Sequence, residues 1–169
     1  MFCVLLMTFA SMEVESRETP KFDSLTFGNM TSYTITGASR GIGLELVTQL
    51  LKDRSVGKIF ALSRGDPPSA LQNLLSSHSE QLYHVKASVD DTTSIQQAAK
   101  EVESKLNGQG LDVLVNNAGI QTANPGGTKT VPPEDMLNVL NVNVVGVHRV
   151  TAAFLPLLEK GKEKKVINV

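Results

Sequence analysis

The sequence predicts an α/β fold, a doubly wound parallel sheet with helices on both faces. Three observations predict it. From Met30 to Val169, short apolar runs alternate with stretches of helical periodicity. The first run ends in a glycine-rich segment that leads directly into a helical stretch, and no repeat or second domain is indicated. Since parallel strands need crossover connections, which helices supply, this alternation predicts right-handed βαβ units around one sheet.

The first half of the pattern contains two apolar runs, each followed by helical spacing. Tyr33–Thr36 predicts the first strand and Lys58–Ser63 the second. Asp66–Pro68 separates the second strand from its helix, because prolines interrupt regular structure. The helical stretches carry apolar residues on one face, namely Ile42, Leu46, Val47, Leu50 and Leu51 in the first and Leu71, Leu74 and Leu75 in the second.

The second half continues the alternation. Its predicted elements are strand Tyr83–Val89, a helix capped by Asp91 or Thr92, strand Leu111–Val115, a loop over Thr122–Pro133, a long helix over Glu134–Glu159 and the opening of a fifth strand at Lys165–Val169. The long helix is expected to bend near Gly146 and at Pro156. The predicted sheet therefore stops after the start of strand five.

Composition excludes several classes of protein. The net charge of −1, from 16 basic and 17 acidic residues, gives no electrostatic case for binding nucleic acid or an anionic membrane. A single cysteine, Cys3, excludes an internal disulfide framework and a cluster of thiolate metal ligands. We therefore expect no metal, no nucleic-acid partner and no membrane partner, and a reducing, cytoplasmic location.

Residues 1–29 stand apart from the rest of the pattern. Met1–Ala10 is nearly all apolar, but no basic residue precedes it and it is too short to span a bilayer. The alternative to an additional N-terminal tail is a secretory signal or a membrane anchor. Residues 1–29 are predicted to be disordered or to be an extension introduced in gene prediction, with Met30 as the natural start, and residues 30–169 to form the folded domain.

The glycine-rich segment Gly37–Gly43 lies between the first strand and the first helix. Glycines allow a tight turn and let the backbone approach a diphosphate, while the N–H groups at the helix start favour negative charge. A plain strand-to-helix turn is the alternative. The position between strand and helix favours a Rossmann-type dinucleotide site.

Three segments resemble the short-chain dehydrogenase/reductase family. Thr36–Gly43 is similar to its Thr-Gly-x-x-x-Gly-x-Gly fingerprint, Asn116–Gly119 to its second fingerprint, and Asn143–Gly146 to its third. They occur in the family's order and spacing, and the resemblance covers residues 30–169. Among family members, the NADP-preferring, carbonyl-reductase-like branch is the most similar.

The residues after the second strand favour NADP(H) over NAD(H). A dinucleotide fold that takes NAD carries an acidic residue there, whereas a basic residue accommodates the 2′-phosphate of NADP. Arg64 follows the strand directly and Asp66 comes two residues later. Arg40, inside the glycine segment, could reach the same phosphate. The alternative is that both arginines are solvated surface charges.

The resemblance also implies contacts further along the cofactor. Family members often end strand three with an acidic residue that reaches the adenine, and Ser88, followed by Val89, stands in its place. Asp90 and Asp91 are interpreted as helix-start residues. The predicted cofactor-binding residues are Gly37, Ser39, Arg40, Gly41, Ile42, Gly43, Arg64, Ser88, Val89, Asn117, Ala118 and Gly119.

The resemblance implies hydride transfer between NADP(H) and a small carbonyl or alcohol, with a serine, a tyrosine and a lysine four residues after it. Of this machinery only the supporting asparagine, Asn143, is present. The two tyrosines, Tyr33 and Tyr83, have no lysine four residues on, and Val166–Val169 resembles the strand before the serine. The chain alone is therefore expected to be inactive.

Three hypotheses follow. The first is an NADP-dependent oxidoreductase present as a fragment, whose full-length form acts on a small molecule and is a homo-oligomer. The second is a non-catalytic NADP-binding protein that pairs with a full-length relative. The third is a remnant that does not fold. The sequence also predicts an exposed apolar patch on the long helix, formed by Val147, Val150, Phe154, Leu157 and Leu158.

Overall fold

A computed structural model describes residues 30–122 and 130–169. The predicted extension, residues 1–29, and most of the predicted loop lie outside these ranges. The elements in chain order are β1 (Thr31–Thr36), α1 (Gly41–Leu50), β2 (Val56–Ser63), α2 (Ser69–Ser77), β3 (Leu82–Lys86), α3 (Thr92–Leu106), β4 (Val113–Asn116), α4 (Pro133–Leu140), a π-helical segment (Asn141–Val145), α5 (Gly146–Lys160) and β5 (Lys165–Asn168).

The five strands form one parallel sheet with the order β3-β2-β1-β4-β5. The chain winds outward from β1 to β3, then crosses back to β4 beside β1. The strand order therefore reverses between β1 and β4, which is the point where ligands bind in open α/β sheets. The predicted Rossmann-type, doubly wound parallel sheet is confirmed.

Each face of the sheet has its own core, because successive strand residues point to opposite faces. Ile35, Ile59 and Ala61 lie against α1 and α2, together with Val47 and Leu71. The other face buries the following residues against α3 and α5: Phe60, Leu62, Val85, Leu114, Ile95, Val102, Leu106, Val150 and Phe154. The β2 run Ile59-Phe60-Ala61-Leu62 is apolar throughout because it is covered on both sides.

The long helix predicted over Glu134–Glu159 is interrupted. The π-helical segment Asn141–Val145 separates α4 from α5, and Pro156 lies inside α5. Gly146 begins α5 where the backbone of the β3–α3 connection comes close: a Cβ there would lie 3.1 Å from the carbonyl oxygen of Val89. The irregularity thus falls directly before the predicted position, and close packing explains the glycine.

The predicted exposed patch on this helix is wrong for four of its five residues. Val150, Phe154, Leu157 and Leu158 are buried, because α5 packs against α3 and the sheet; only Val147 is half-buried. On this helical stretch the exposed large apolar side chains lie mainly before α5, on α4 and the π-helical segment: Met136, Leu137, Leu140, Val144 and Val145, with Leu155 on α5. The helical spacing showed which side chains form an apolar face, but it did not show that α3 and the sheet cover this face.

By length and composition alone, one helical stretch among the described residues, Pro133–Lys160, is apolar enough to cross a membrane. Core helices of soluble proteins meet the same criterion. The second half of this stretch, α5, buries its apolar face on α3. The expectation of no membrane partner stays a prediction.

The amino-terminal edge of the sheet is held together by Asp112, which precedes β4. One carboxylate oxygen accepts hydrogen bonds from the backbone N–H and the hydroxyl of Ser32, at 2.8 and 3.0 Å. The other accepts from the backbone N–H groups of Lys162 and Glu163, at 2.7 and 3.4 Å. Burial raises the pKa of Asp112, but these hydrogen bonds outweigh burial, so the pKa lies below its ordinary value.

Candidate functional site

A cleft of about 290 Å³ opens at the carboxyl ends of β1 to β4. Its position matches the reversal of strand order between β1 and β4. The cleft is lined by Thr36, Gly37, Ser39, Arg40, Gly41, Ile42, Leu62, Ser63, Arg64, Ala87, Val89, Asp90, Asn117, Ala118, Gly119, Ile120 and Val142. Every predicted cofactor-binding residue except Gly43 and Ser88 therefore lines one cavity.

The three glycines of the loop between β1 and α1 are required for different reasons. Gly37 and Gly41 have positive φ angles, 67° and 56°, which favour glycine. A Cβ at Gly43 would lie 2.4 Å from the Gly37 carbonyl oxygen and 2.6 Å from Asn117 Nδ2. A Cβ at Gly41 would meet nothing within 4 Å. Gly43 is thus buried under the loop by close packing, while Gly41 faces open space in the cleft wall.

Helix α1 begins at this loop without a side-chain cap. Arg40 precedes it with extended backbone and its side chain makes no capping hydrogen bond. The first turn contains no acidic residue. The first N–H groups of a helix have no intrahelical acceptor, so this end carries partial positive charge toward the cleft. The arrangement can bind a phosphate or another anion.

Thr36 and Asn117 join the ends of β1 and β4 below the loop. The Thr36 hydroxyl oxygen accepts hydrogen bonds from the backbone N–H groups of Asn117 and Ala118, both at 3.0 Å. Asn117 Nδ2 donates to the carbonyl oxygens of Thr36 and Gly37, at 3.0 and 3.3 Å. Thr36 was not among the predicted site residues, although it begins the fingerprint. Its role depends on partners 81 and 82 residues away, which no local pattern reports.

Arg40 and Arg64 both line the cleft and both are exposed. Neither guanidinium group forms an ion pair with another residue in the two described ranges. Asp66, the nearest acid after β2, lies 4.0 Å from Lys86 instead. Both guanidinium groups, one in the β1–α1 loop and one after β2, are therefore available to a ligand phosphate.

At the end of β3, the structure separates two neighbouring residues that the sequence treated together. Val89 lines the cleft, but Ser88 does not. The Ser88 hydroxyl donates to the Asp90 carboxylate, and the Ser88 N–H donates to Ser94 Oγ. This hydroxyl hydrogen bond is the main reason that the pKa of Asp90 is lowered, with Arg64 and Arg149 as smaller causes.

Asp90 lines the cleft, which the sequence interpretation missed. Its neighbour Asp91 caps α3 as predicted, accepting from the N–H groups of Thr93 and Ser94 at 2.8 and 3.2 Å. The two adjacent aspartates therefore have different surroundings, one toward the cleft and one at a helix start. The sequence shows only that both are short and acidic, which suits either position.

Asn143 lies in the π-helical segment and holds the connection after β4. Its Oδ1 accepts from the Ile120 N–H at 2.9 Å, and its Nδ2 donates to the Ile120 carbonyl oxygen at 2.8 Å. Gly119 lies under this pair, since a Cβ there would be 3.5 Å from Asn143 Oδ1. The Asn143 side chain thus fixes Ile120, a cleft-lining residue, rather than lining the cleft itself.

Within the described residues, no group of three or more His, Cys, Asp or Glu side chains is arranged to hold a metal ion. Of the three histidines, only His84 contacts a cleft-lining side chain: its Nε2 lies 2.8 Å from Ser63 Oγ. His78 Nδ1 lies 3.1 Å from the Leu74 carbonyl oxygen at the end of α2. The titratable groups near the cleft are therefore Asp90, the two arginines and, behind the wall, His84.

The chain matches the family model described as short chain dehydrogenase over residues 32–169. It is 38% identical over 146 residues to the short-chain dehydrogenase/reductase AacuF of Aspergillus aculeatus, covering 83% of this chain and 54% of that protein. It is 38% identical over 135 residues to human retinol dehydrogenase 5, covering 80% of this chain and 41% of that protein.

Among solved structures, the NADPH-bound carbonyl reductase from chicken fatty liver superposes with a TM-score of 0.72 at 38% identity, over 78% of this chain and 49% of that chain. The chain spans about half the length of the curated relatives it matches. The family-model match, over residues 32–169, includes the glycine loop and all five strands apart from Thr31.

Proposed function

Because the chain belongs to the short-chain dehydrogenase family of oxidoreductases, we propose that it is the cofactor-binding part of an NADP(H)-dependent enzyme that interconverts small carbonyl and alcohol substrates. The observation that carries the proposal is the pairing of an open helix start with two unpaired arginines in one cleft. The chicken neighbour, a carbonyl reductase with bound NADPH, supports the same cofactor.

The cleft fits the diphosphate of a dinucleotide at residues 37–43. Gly41 presents open space where a side chain would otherwise stand, and the first turn of α1 offers backbone donors without competing acids. Anions bind at such helix starts because several N–H groups and the helix dipole act together. The cofactor's negative charge thus replaces the absent protein cap.

The adenosine end of the cofactor would lie beside β2 and β3. Arg64 and Arg40 can donate hydrogen bonds to the 2′-phosphate, whereas Asp66 does not line the cleft and lies 4.0 Å from Lys86. Val89 and Ala87 provide apolar wall on the β3 side. We infer that the arginines make NADP(H) the preferred cofactor.

When bound, the nicotinamide ring supplies or accepts the hydride. The residues of this chain bind and orient the dinucleotide, and Asn143 holds Ile120 at the nicotinamide end of the cleft. Burial raises the pKa of both Tyr33 and Tyr83, so neither suits proton transfer near neutral pH. We propose that these 169 residues bind NADPH without turning over substrate, and that the full-length enzyme is cytoplasmic and homo-oligomeric.

A second candidate is a non-catalytic NADP-binding subunit that pairs with a full-length relative. The exposed apolar side chains of α4 and the π-helical segment favour it, since large exposed apolar patches mark interfaces. Co-expression with a full-length relative, followed by size-exclusion chromatography, tests this candidate. Separate elution of the two chains would argue against it.

Calorimetric titration of the folded 169-residue chain with NADPH and NADH tests the main proposal. We expect NADPH to bind more tightly, and the Arg64→Asp variant to lose affinity for NADPH by about tenfold to a hundredfold, because charge-assisted hydrogen bonds contribute about 1.5–3 kcal/mol. NADH affinity should change little. Arg54→Asp, in an exposed turn outside the cleft, is the matched control. Equal losses for both cofactors would contradict the NADP assignment.

A further inference from the structure

Ser63 and His84 form a hydrogen-bonded pair directly behind the turn that carries Arg64. Ser63 is the last residue of β2 and is buried, with 6% of its surface exposed. His84 lies on the adjacent strand β3, and its Nε2 is 2.8 Å from Ser63 Oγ. The Ser63 hydroxyl also donates to the carbonyl oxygen of Gly65 at 3.1 Å. Ser63 therefore connects the sheet to the residue after Arg64.

The proton count fixes the direction of this chain of hydrogen bonds. A serine hydroxyl has one hydrogen, and here it points to the Gly65 carbonyl oxygen. The contact with His84 is a hydrogen bond only if Nε2 carries a hydrogen and donates it. Burial lowers the pKa of His84, opposed by Glu101 and Asp66 and assisted by Lys86. The ring is therefore neutral near pH 7, and we assign its single hydrogen to Nε2, the tautomer that can donate to Ser63 Oγ.

Few other contacts hold the turn that carries Arg64 in place. Arg64, Gly65 and Asp66 are all exposed, and a Cβ at Gly65 would meet nothing within 4 Å. The Asp66–Lys86 ion pair spans the same turn at 4.0 Å, but both side chains are exposed. Exposed pairs of this kind contribute little. The buried hydroxyl of Ser63 is therefore the stronger attachment.

We propose that Ser63 and His84 are positioning residues that hold the Arg64 turn in place and so set the selectivity for a 2′-phosphorylated dinucleotide. The inference rests on the proposed function, because it assumes that Arg64 binds the 2′-phosphate. In this arrangement His84 donates to Ser63 and Ser63 donates to Gly65. The backbone of Arg64 is therefore held between Ser63 and Gly65. Neither Ser63 nor His84 needs to touch the phosphate.

The test compares affinities for NADPH and NADH in two pairs of variants. Ser63→Ala and His84→Leu each break the chain of hydrogen bonds, whereas Ser63→Thr keeps the hydroxyl and His84→Gln keeps a donor near the Nε2 position. We expect the first two to weaken NADPH by about fivefold to tenfold, the effect of one lost hydrogen bond, with NADH affinity unchanged. The second two should retain most of the preference.

Two controls separate positioning from general loss of structure. Ser76→Ala removes a hydroxyl that only donates within α2, and Asp66→Asn removes the exposed ion pair; both should leave the NADPH-to-NADH affinity ratio near that of the wild type. Titration with 2′,5′-ADP repeats the measurement at the adenosine end alone. Thermal melting of each variant identifies folded protein, and the two disrupting variants act through different residues.

The outcomes are distinct. A wild-type chain that prefers NADPH, with Ser63→Ala and His84→Leu variants that keep the same ratio, overturns the inference and leaves the proposed function standing. Equal weakening of NADPH and NADH also overturns it, because a purely structural role would affect both. A folded wild-type chain that does not prefer NADPH removes the proposed function and the inference together.

Discussion

The amino-terminal and carboxyl-terminal edges of the sheet differ in whether their polar groups are hydrogen-bonded within the protein. At the amino-terminal edge, the Asp112 carboxylate accepts hydrogen bonds from Ser32, Lys162 and Glu163. At the carboxyl-terminal edge, α1 begins without a side-chain cap, and the two arginines of the cleft form no ion pair within the part of the chain that the structure describes. Polar groups that the protein satisfies itself contribute to stability, whereas polar groups left open contribute to binding. The comparison therefore separates the structural end of the domain from the functional one.

Glycines show the same contrast. At the amino-terminal edge, a Cβ at Gly161 would lie 1.9 Å from the Leu111 carbonyl oxygen, so that glycine serves close backbone packing. At the carboxyl-terminal edge, Gly43 is also tightly packed, but a Cβ at Gly41 would meet nothing within 4 Å. Gly41 is therefore required by its φ of 56° and not by packing, and it leaves its backbone accessible from the cleft.

The largest expected effect comes from a substitution at the amino-terminal edge of the sheet. Asp112→Ala leaves the buried N–H of Ser32 and the part-buried N–H groups of Lys162 and Glu163 without their acceptor, so we expect the free energy of unfolding to fall by about 3 kcal/mol. Urea denaturation measures it. Asp53→Ala, which removes an exposed carboxylate that bonds only to Ser55, is the control and should have a much smaller effect. Equal losses would remove the distinction between a buried network and an exposed turn.

The next largest effect comes from a substitution at the carboxyl-terminal edge of the sheet. Gly43→Ala places a methyl group against the Gly37 carbonyl oxygen and Asn117 Nδ2, so the loop must shift. We expect NADPH affinity to fall by more than about tenfold, with about 1–3 kcal/mol of stability lost to overpacking. Gly108→Ala, at a positive φ in an open turn after α3, controls for the general cost of replacing a glycine. Unchanged NADPH binding by folded Gly43→Ala protein would contradict the phosphate-loop interpretation.

Lowering the pH tests the same comparison of the two edges, because Asp112 at the amino-terminal edge is a buried carboxylate. Its pKa is lower in the folded chain than in the unfolded one, so its contribution is present above the unfolded value of about 3.9 and is lost as pH falls through the folded value. Between pH 5 and pH 3, we expect wild-type stability to fall more steeply than that of Asp112→Asn. Denaturation at several pH values measures both slopes. Parallel slopes would show that other carboxylates dominate acid unfolding.

How much of this was visible in the sequence depends on how far apart the interacting residues lie. The alternation of strands and helices, the doubly wound parallel sheet and the glycine loop follow from local patterns and were predicted, as were Arg40 and Arg64 as candidate cofactor-binding residues; the strand order comes from the structure. The Asp112–Ser32 pair, 80 residues apart, and the Thr36–Asn117 pair, 81 residues apart, join separate strands and leave no local signal. The helical spacing of α5 located its apolar face, but only the packing of α3 shows that this face is covered.

The smallest expected effect concerns Asn143, which lies beside the functional edge and whose side chain hydrogen-bonds to the backbone of Ile120. Asn143→Ala removes two hydrogen bonds at an exposed site, so we expect about 1 kcal/mol of destabilisation or less and a loss of NADPH affinity below about threefold. Asn143→Asp keeps one acceptor and should lie between alanine and the wild type. Melting curves and NADPH titration measure the two effects. A loss of NADPH affinity as large as that of Gly43→Ala would mean that the connection after β4, and not the glycine loop alone, sets the cofactor's position.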